Sequence, residues 1–183
     1  MNGVNMESSR RELAQALVHF PPIKHAFAYG SGVFGQKGAL DMLRMVDYIL
    51  VVDSPCEWHA HNLEQNQNHY SNLIRFIGPR GAVALAENVG AGVYFNSYVP
   101  WKNKLLKYGV IKKEALLEDL SCWSSLYVSG RMHKPVAHLI EDPAVMKANG
   151  MRTRHPPPES CASSLKLWLL EVPSHPYHVL GTK

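Results

Sequence analysis

Cysteine is scarce in this chain: Cys56, Cys122 and Cys161 are the three among 183 residues, widely spaced and with no CxxC pair. An odd, scattered set of this kind indicates neither a disulfide framework nor a zinc site and suits a reducing compartment. Long apolar runs are lacking too. The longest are short, Tyr48 to Val52 for example, and fall far below the ~20 residues that a membrane-spanning helix requires. Any membrane contact is therefore expected to be peripheral. No internal repeat is present. Acidic residues number 15 against 19 Lys and Arg, a formal net charge of +4. That excess suits an anionic partner, whether nucleotide, acidic lipid or nucleic acid, and equally suits an ordinary solvated surface. The first twenty residues carry Arg10 and Arg11 but also Glu7 and Glu12. Transit peptides are poor in acidic residues, so this stretch is read as a short amphipathic helix with Ser9 as N-cap.

What is present alternates between helix and strand patterns. Pro21-Pro22 closes the first helix, and Lys24 to Tyr29 (KHAFAY) reads as a strand. Met45 to Val52 (MVDYILVV) is the clearest strand, rich in β-branched and aromatic residues. Ser54-Pro55-Cys56-Glu57 has the form of a capping box with Pro at the first helical position, predicting a helix from Pro55 to about Asn68. Helices are expected at Ser71 to Ile77, Ala82 to Asn88, Lys112 to Leu120, Trp123 to Val128 and Pro143 to Asn149. Ala91 to Asn96 and Lys104 to Ile111 read as strands joined by a turn near Pro100 to Asn103. The pattern predicts an α/β or α+β domain. Near Met151 the composition shifts to Pro156-Pro157-Pro158 among Ser, His and Arg, which resists packing. A domain over 1–150 and a loose tail over 151–183 are expected.

The strongest chemical signal is strand, Gly30-Ser31, loop, Asp47, strand. A Gly-Ser turn after a strand offers backbone amides to a triphosphate, and a carboxylate opening the next strand can hold Mg²⁺ against those phosphates. This is the layout of the polymerase-β-like nucleotidyltransferase fold, although Gly-Ser is also a common structural turn. A second carboxylate would be expected two residues after Asp47, where Ile49 stands. Asp53 shares the Asp47 face by alternation but lies roughly 20 Å along a regular strand. Asp47 is therefore taken as the metal ligand, Asp53 as a turn residue, and Asp119 or Glu118 as a possible second acid or a solvated helix face. His59, Asn62, Asn66 and His69 are spaced by three, four and three residues, one narrow helical stripe. Such a stripe can bind a phosphate or a base, or be a solvated polar face. Lys107, in the strand LLKYGVI, is placed to reach a phosphate or to guard a sheet edge. Arg131, His133 and Lys134 form a basic cluster suited to phosphate or to plain surface.

Five runs carry a family resemblance: FAYGSGVFGQ from Phe27, VDYILVVDSPCEWHAHNLEQNQNHYSNL from Val46, GAGVYFNSYV from Gly90, LLKYGVI from Leu105 and LLEDLSCWSSLYVSGRMHKPV from Leu116. Over about residues 19–149 the chain resembles the mitochondrial translocator assembly and maintenance family, the matrix-side phosphatidate cytidylyltransferases. The resemblance implies a polymerase-β-like nucleotidyltransferase fold with a mixed sheet. It implies Mg²⁺-dependent transfer of CMP from CTP to phosphatidic acid for phosphatidylglycerol and cardiolipin synthesis, with peripheral contact to an acidic membrane and no nucleic acid partner. The expected location is the matrix side of the mitochondrial inner membrane.

Gly30, Ser31 and Asp47 match the nucleotide and metal motif, with Gly32 in the same turn. His59, Asn62, Asn66, His69, Tyr70 and Ser71 match the polar helix read as nucleotide-binding. Lys107, Arg131 and Lys134 match the basic positions read as phosphate or lipid-phosphate ligands. Asp47, Ser31 and Lys107 are the expected catalytic set. From about Met151 the likeness stops, which implies that most of the family's second, helical domain and its membrane helix are missing, as in a truncated or alternative form. A nucleotidyltransferase acting on another acceptor, and a chain that binds nucleotide or a protein without turnover, are the rival readings.

Overall fold

The computed structural model describes residues 2–33, 45–152 and 161 of the chain. The first helix, α1 (Asn2–Gln15), begins well before Ser9 and continues into a 3₁₀ turn at Ala16–His19. Ser9 thus lies inside the helix and is not its cap. Pro21 and Pro22 then turn the chain into β1 (His25–Tyr29). β2 (Met45–Val52) follows, and α2 (Pro55–Gln65) starts with Pro at its first turn, as expected. Ser54 makes no side-chain capping bond there. After a 3₁₀ turn at Gln67–His69 comes α3 (Asn72–Asn88), capped by Ser71, whose hydroxyl accepts from the Ile74 amide at 3.4 Å. Gly78 (φ 74°, ψ −172°) and Pro79 bend α3, which is why its two halves read as separate helices in the sequence.

β3 (Val93–Trp101) and β4 (Lys104–Lys112) form a hairpin around Lys102 and Asn103, and α4 (Lys113–Cys122) and α5 (Tyr127–Met132) follow. β5 (Ala137–Ile140) and α6 (Pro143–Arg152) complete the order. β5 was not expected. Its four residues, AHLI, are all half-buried and carry no alternation of burial.

The five strands form one mixed sheet in the order β3-β4-β2-β1-β5. β2 and β4 run parallel, and every other pair is antiparallel. The α/β class is as expected, and the mixed sheet agrees with a nucleotidyltransferase-like arrangement. Strand alternation sends side chains to two opposite cores. Ala26, Ala28, Val46, Tyr48, Leu50, Tyr108 and Val110 meet Leu13 and Leu17 from the N-terminal segment and Trp58 of α2. Phe27, Ile49, Val51, Val93 and Ile111 meet Leu116 and Leu120 of α4, Val128 and Met132 of α5, and Val145 of α6.

The expected loose tail falls on residues 153–160 and 162–183, outside the described residues. Cys161 is described and is disulfide-bonded to Cys122, their Cα atoms 5.1 Å apart, within the ordinary range for such a bridge. That corrects the expectation of unpaired cysteines, because spacing along the chain does not reveal which distant cysteine a fold will bring close.

Candidate functional site

Asp47 is the third residue of β2, and the strand register aligns it with Tyr29 at the end of β1 and with Lys107 in β4. The three side chains therefore share one face of the sheet, the face covered by α4 and α5. The chain leaves β1 through Gly30, which has φ +85°, a backbone setting that favours glycine. A side-chain carbon at Gly30 would stand 3.2 Å from Asp47 Oδ2, and one at Gly32 would stand 2.5 Å from the Met45 carbonyl oxygen. The Val33 amide donates to the Gly30 carbonyl at 3.2 Å, closing the turn. The two glycines thus let the backbone fold tightly over the start of β2, with Ser31 exposed at the tip.

Two cations complete this face. Arg131 of α5 lies over the ring of Tyr29 at 5.2 Å and that of Tyr127 at 5.9 Å, and Lys107 Nζ lies 4.9 Å from the ring centre of Phe95. Phe95 meets Tyr127 edge to face. An aromatic floor of Tyr29, Phe95 and Tyr127 therefore carries both charges, an arrangement that orients cations while leaving their hydrogen-bond donors available. Burial pushes the Asp47 carboxyl above its ordinary range, while the positive charges of Lys107 and Arg131 pull it back. The Tyr29 phenol is pushed up to about 12, first by burial and then by the neighbouring Asp47 charge. Lys134 is exposed just beyond α5, its amide bonded to the Arg131 carbonyl.

Asp119 serves this site indirectly. It is buried, and its carboxylate accepts from the amides of Ser125 (2.8 Å), Leu126 (2.7 Å) and Ser129 (2.8 Å). These bonds hold the left-handed residues Trp123 and Leu126 and the first turn of α5, the helix that presents Arg131. Asp119 is thus neither a metal ligand nor a solvated residue, and Glu118 is exposed. Asp53 is paired with Lys24 at 2.9 Å, at the opposite end of β2 from Asp47.

The stripe of His59, Asn62, Asn66 and His69 is not one helical face, since α2 ends at Gln65 and His69 lies in the following 3₁₀ turn, and it does not join this site. Tyr108 follows Lys107 in β4 and so points through the opposite face of the sheet, where it meets the stripe. Asn62 Nδ2 donates to Tyr70 Oη and Tyr108 Oη, both at 2.9 Å, and Asn96 Nδ2 donates to Tyr108 Oη at 2.9 Å. With both lone pairs of Tyr108 occupied, its hydroxyl proton goes to His69 Nδ1, 3.1 Å away. With its Nδ1 accepting, His69 carries its proton on Nε2, and His59 Nδ1 and Tyr70 Oη share a hydrogen bond of 2.8 Å. Asn66 Nδ2 donates to Asn62 Oδ1 and to the His19 carbonyl, both at 2.8 Å.

His59 and Asn62 are fully buried, and burial pushes the His59 imidazole down to about 4. The expectation that His59, Asn62, Asn66, His69 and Tyr70 share a cleft with Ser31 and Asp47 is therefore not met. They form a core network, and Ser71 is the cap of α3. Among the described residues, no cluster of three or more His, Cys, Asp or Glu is placed to hold a metal ion. Mg²⁺ commonly takes one or two carboxylates and fills its shell with phosphate oxygens and water. Asp47, half-buried and accepting no hydrogen bond from the described residues, fits the single-carboxylate case.

Comparison with known proteins bears on the whole of this region. A family model described as mitochondrial phosphatidate cytidylyltransferase matches residues 13–155. Curated relatives carry that same name. The one from Xenopus laevis is 45% identical over 134 residues, covering 71% of this chain and 39% of the relative. That from Danio rerio is 48% identical over 119 residues, covering 63% of this chain and 35% of the relative. That from Schizosaccharomyces pombe is 39% identical over 145 residues, covering 78% of this chain and 37% of the relative. The chain thus spans well under half the length of the curated relatives it matches.

Proposed function

The chain belongs to the family of mitochondrial phosphatidate cytidylyltransferases, and from that membership we propose that it transfers CMP from CTP to phosphatidic acid, yielding CDP-diacylglycerol and pyrophosphate. The observation that carries this reading is the convergence of the Gly30–Gly32 turn, Asp47, Lys107 and Arg131 at one end and one face of the sheet. A triphosphate laid against the turn meets backbone amides first and the two cations next. The phosphate oxygen of phosphatidic acid attacks the α-phosphorus of CTP. The bond from that phosphorus to the bridging oxygen breaks, and the electron pair leaves with pyrophosphate.

Lys107 neutralises charge that develops on the transferred phosphoryl group. Arg131, placed near the rings of Tyr29 and Tyr127, binds phosphate with its planar fork of donors, and Lys134 adds positive charge where the lipid phosphate arrives. The amides of the turn, with Ser31 at its tip, hold the leaving pyrophosphate. Asp47 would hold Mg²⁺, which would supply Lewis-acid neutralisation of phosphate charge. The names of the relatives support a mitochondrial setting. We place the chain at the matrix side of the inner membrane, in contact with acidic lipid, supplying the precursor of phosphatidylglycerol and cardiolipin.

Thermal unfolding tests the nucleotide part of this reading. Mg-CTP at about 100 times its dissociation constant adds about 2.7 kcal/mol to stability, a rise in midpoint of roughly 5–10 °C for a chain of this size. No rise with Mg-CTP, or an equal rise with inorganic tripolyphosphate, would leave the site as an electropositive surface without nucleotide recognition.

A further inference from the structure

The first half of α3 turns apolar side chains outward. Phe76 is 90% exposed, Leu73 61% and Ile77 42%, while Ile74 alone in that half is buried, packed with Tyr70 and Ala82. The helix is firmly built, capped by Ser71 and bent at Gly78-Pro79, so these residues are not exposed through fraying. Single exposed apolar residues are ordinary, but three large ones at neighbouring positions on one short helical segment mark a contact surface.

The charges around them point to the partner. From Gln65 to Ala86 the chain has no Asp or Glu, and it carries Arg75, Arg80 and His69. Arg75 and Arg80 are both exposed. Arg75 Nε donates to the Gln67 and Tyr70 carbonyls at 3.0 Å each, which fixes that side chain at the start of the helix.

We propose that the outward face of Leu73, Phe76 and Ile77, followed along α3 by the exposed Arg80, seats the chain on an acidic lipid bilayer. The apolar side chains enter the boundary between headgroups and acyl chains, and Arg80 meets anionic headgroups, as in an interfacial helix. No helix among the described residues is long and apolar enough to cross a membrane, so this is a surface contact. It rests on the proposed lipid substrate, since an acceptor embedded in a bilayer requires the catalytic end of the sheet to stay near the headgroups.

Flotation of the full chain with vesicles tests the surface. Phosphatidylcholine vesicles with and without phosphatidylglycerol serve as the probe, because phosphatidylglycerol is anionic yet is not the proposed acceptor. Binding is expected to require the anionic lipid and to weaken with added salt. It is expected to fall about tenfold or more in the Leu73→Ser, Phe76→Ser double variant and measurably in Arg80→Gln. The stabilisation by Mg-CTP should be unchanged in all of these, which separates failure of the surface from failure of the nucleotide site. Undiminished flotation of the double variant would overturn the proposal. So would a wild-type chain that ignores anionic vesicles, or one that forms dimers which the double variant abolishes, since the face would then serve a second copy.

Discussion

Asp47→Asn is expected to lower the formation of CDP-diacylglycerol by at least about 10²-fold, the scale seen when a group that stabilises transition-state charge is removed. The substitution keeps the size of the side chain and removes a carboxylate that lies beside Lys107 in the strand register and feels the charges of Lys107 and Arg131. It also relieves a partly desolvated charge, so the fold should be no less stable. Asp53→Asn should change the rate little. Asp53 is exposed, ion-paired with Lys24, and separated from Asp47 by nearly the whole length of β2. Its loss removes a solvent-screened surface pair, which contributes little. Rates measured for both variants, beside their melting curves, check the assignment. Equal losses of rate at unchanged stability would remove Asp47 from its special role.

Asn62→Leu should act in the opposite way, on stability and not on nucleotide affinity. Asn62 donates to two buried hydroxyls and accepts from Asn66. A leucine there strips the donors from Tyr70 and Tyr108 without offering any replacement. Leaving buried polar groups short of partners predicts a loss of about 2–4 kcal/mol, or roughly 5–15 °C in the midpoint of unfolding. Below that midpoint the dissociation constant for Mg-CTP should stay within about twofold of wild type, less than about 0.4 kcal/mol. Unchanged stability with a large loss of CTP affinity would return the α2 stripe to the nucleotide site.

The contrast between these two residues shows what the sequence made legible. Asp47 could be found because its strand is strongly patterned and because Gly-Ser and a strand-opening Asp form a local motif. The α2 stripe could be found too, since a period of about 3.6 residues is also local, but its destination could not. Amides and imidazoles on one face of a helix suit water, a nucleotide or a buried network, and the choice depends on Tyr108 and Asn96, which lie far along the chain.

The same limit applies to Asp119. Within LLEDL it resembles any solvated acid, and only the turn at Ser125 and Leu126 brings three amides to it. Tyr29, Phe95 and Tyr127 were not singled out at all, although Tyr29 and Tyr127 stand in FAYGS and LYVSGR beside residues that were. An aromatic platform beneath a cation becomes visible only when strand register and helix packing are both known. Ser54, read as a cap, makes no capping bond, and Ser71, read as a site residue, caps α3, because a capping pattern does not guarantee the bond and a site reading does not exclude one.

The most direct test of the account is transfer itself. The intact chain, CTP labelled at the α-phosphorus, Mg²⁺ and phosphatidic acid in mixed detergent micelles should yield label in the organic phase as CDP-diacylglycerol, with pyrophosphate released in equal amount. The label should stay in water when phosphatidic acid is omitted, and an RNA acceptor should gain none. Label appearing on RNA instead would contradict the account, as would tight binding of Mg-CTP with no lipid product at any phosphatidic acid concentration.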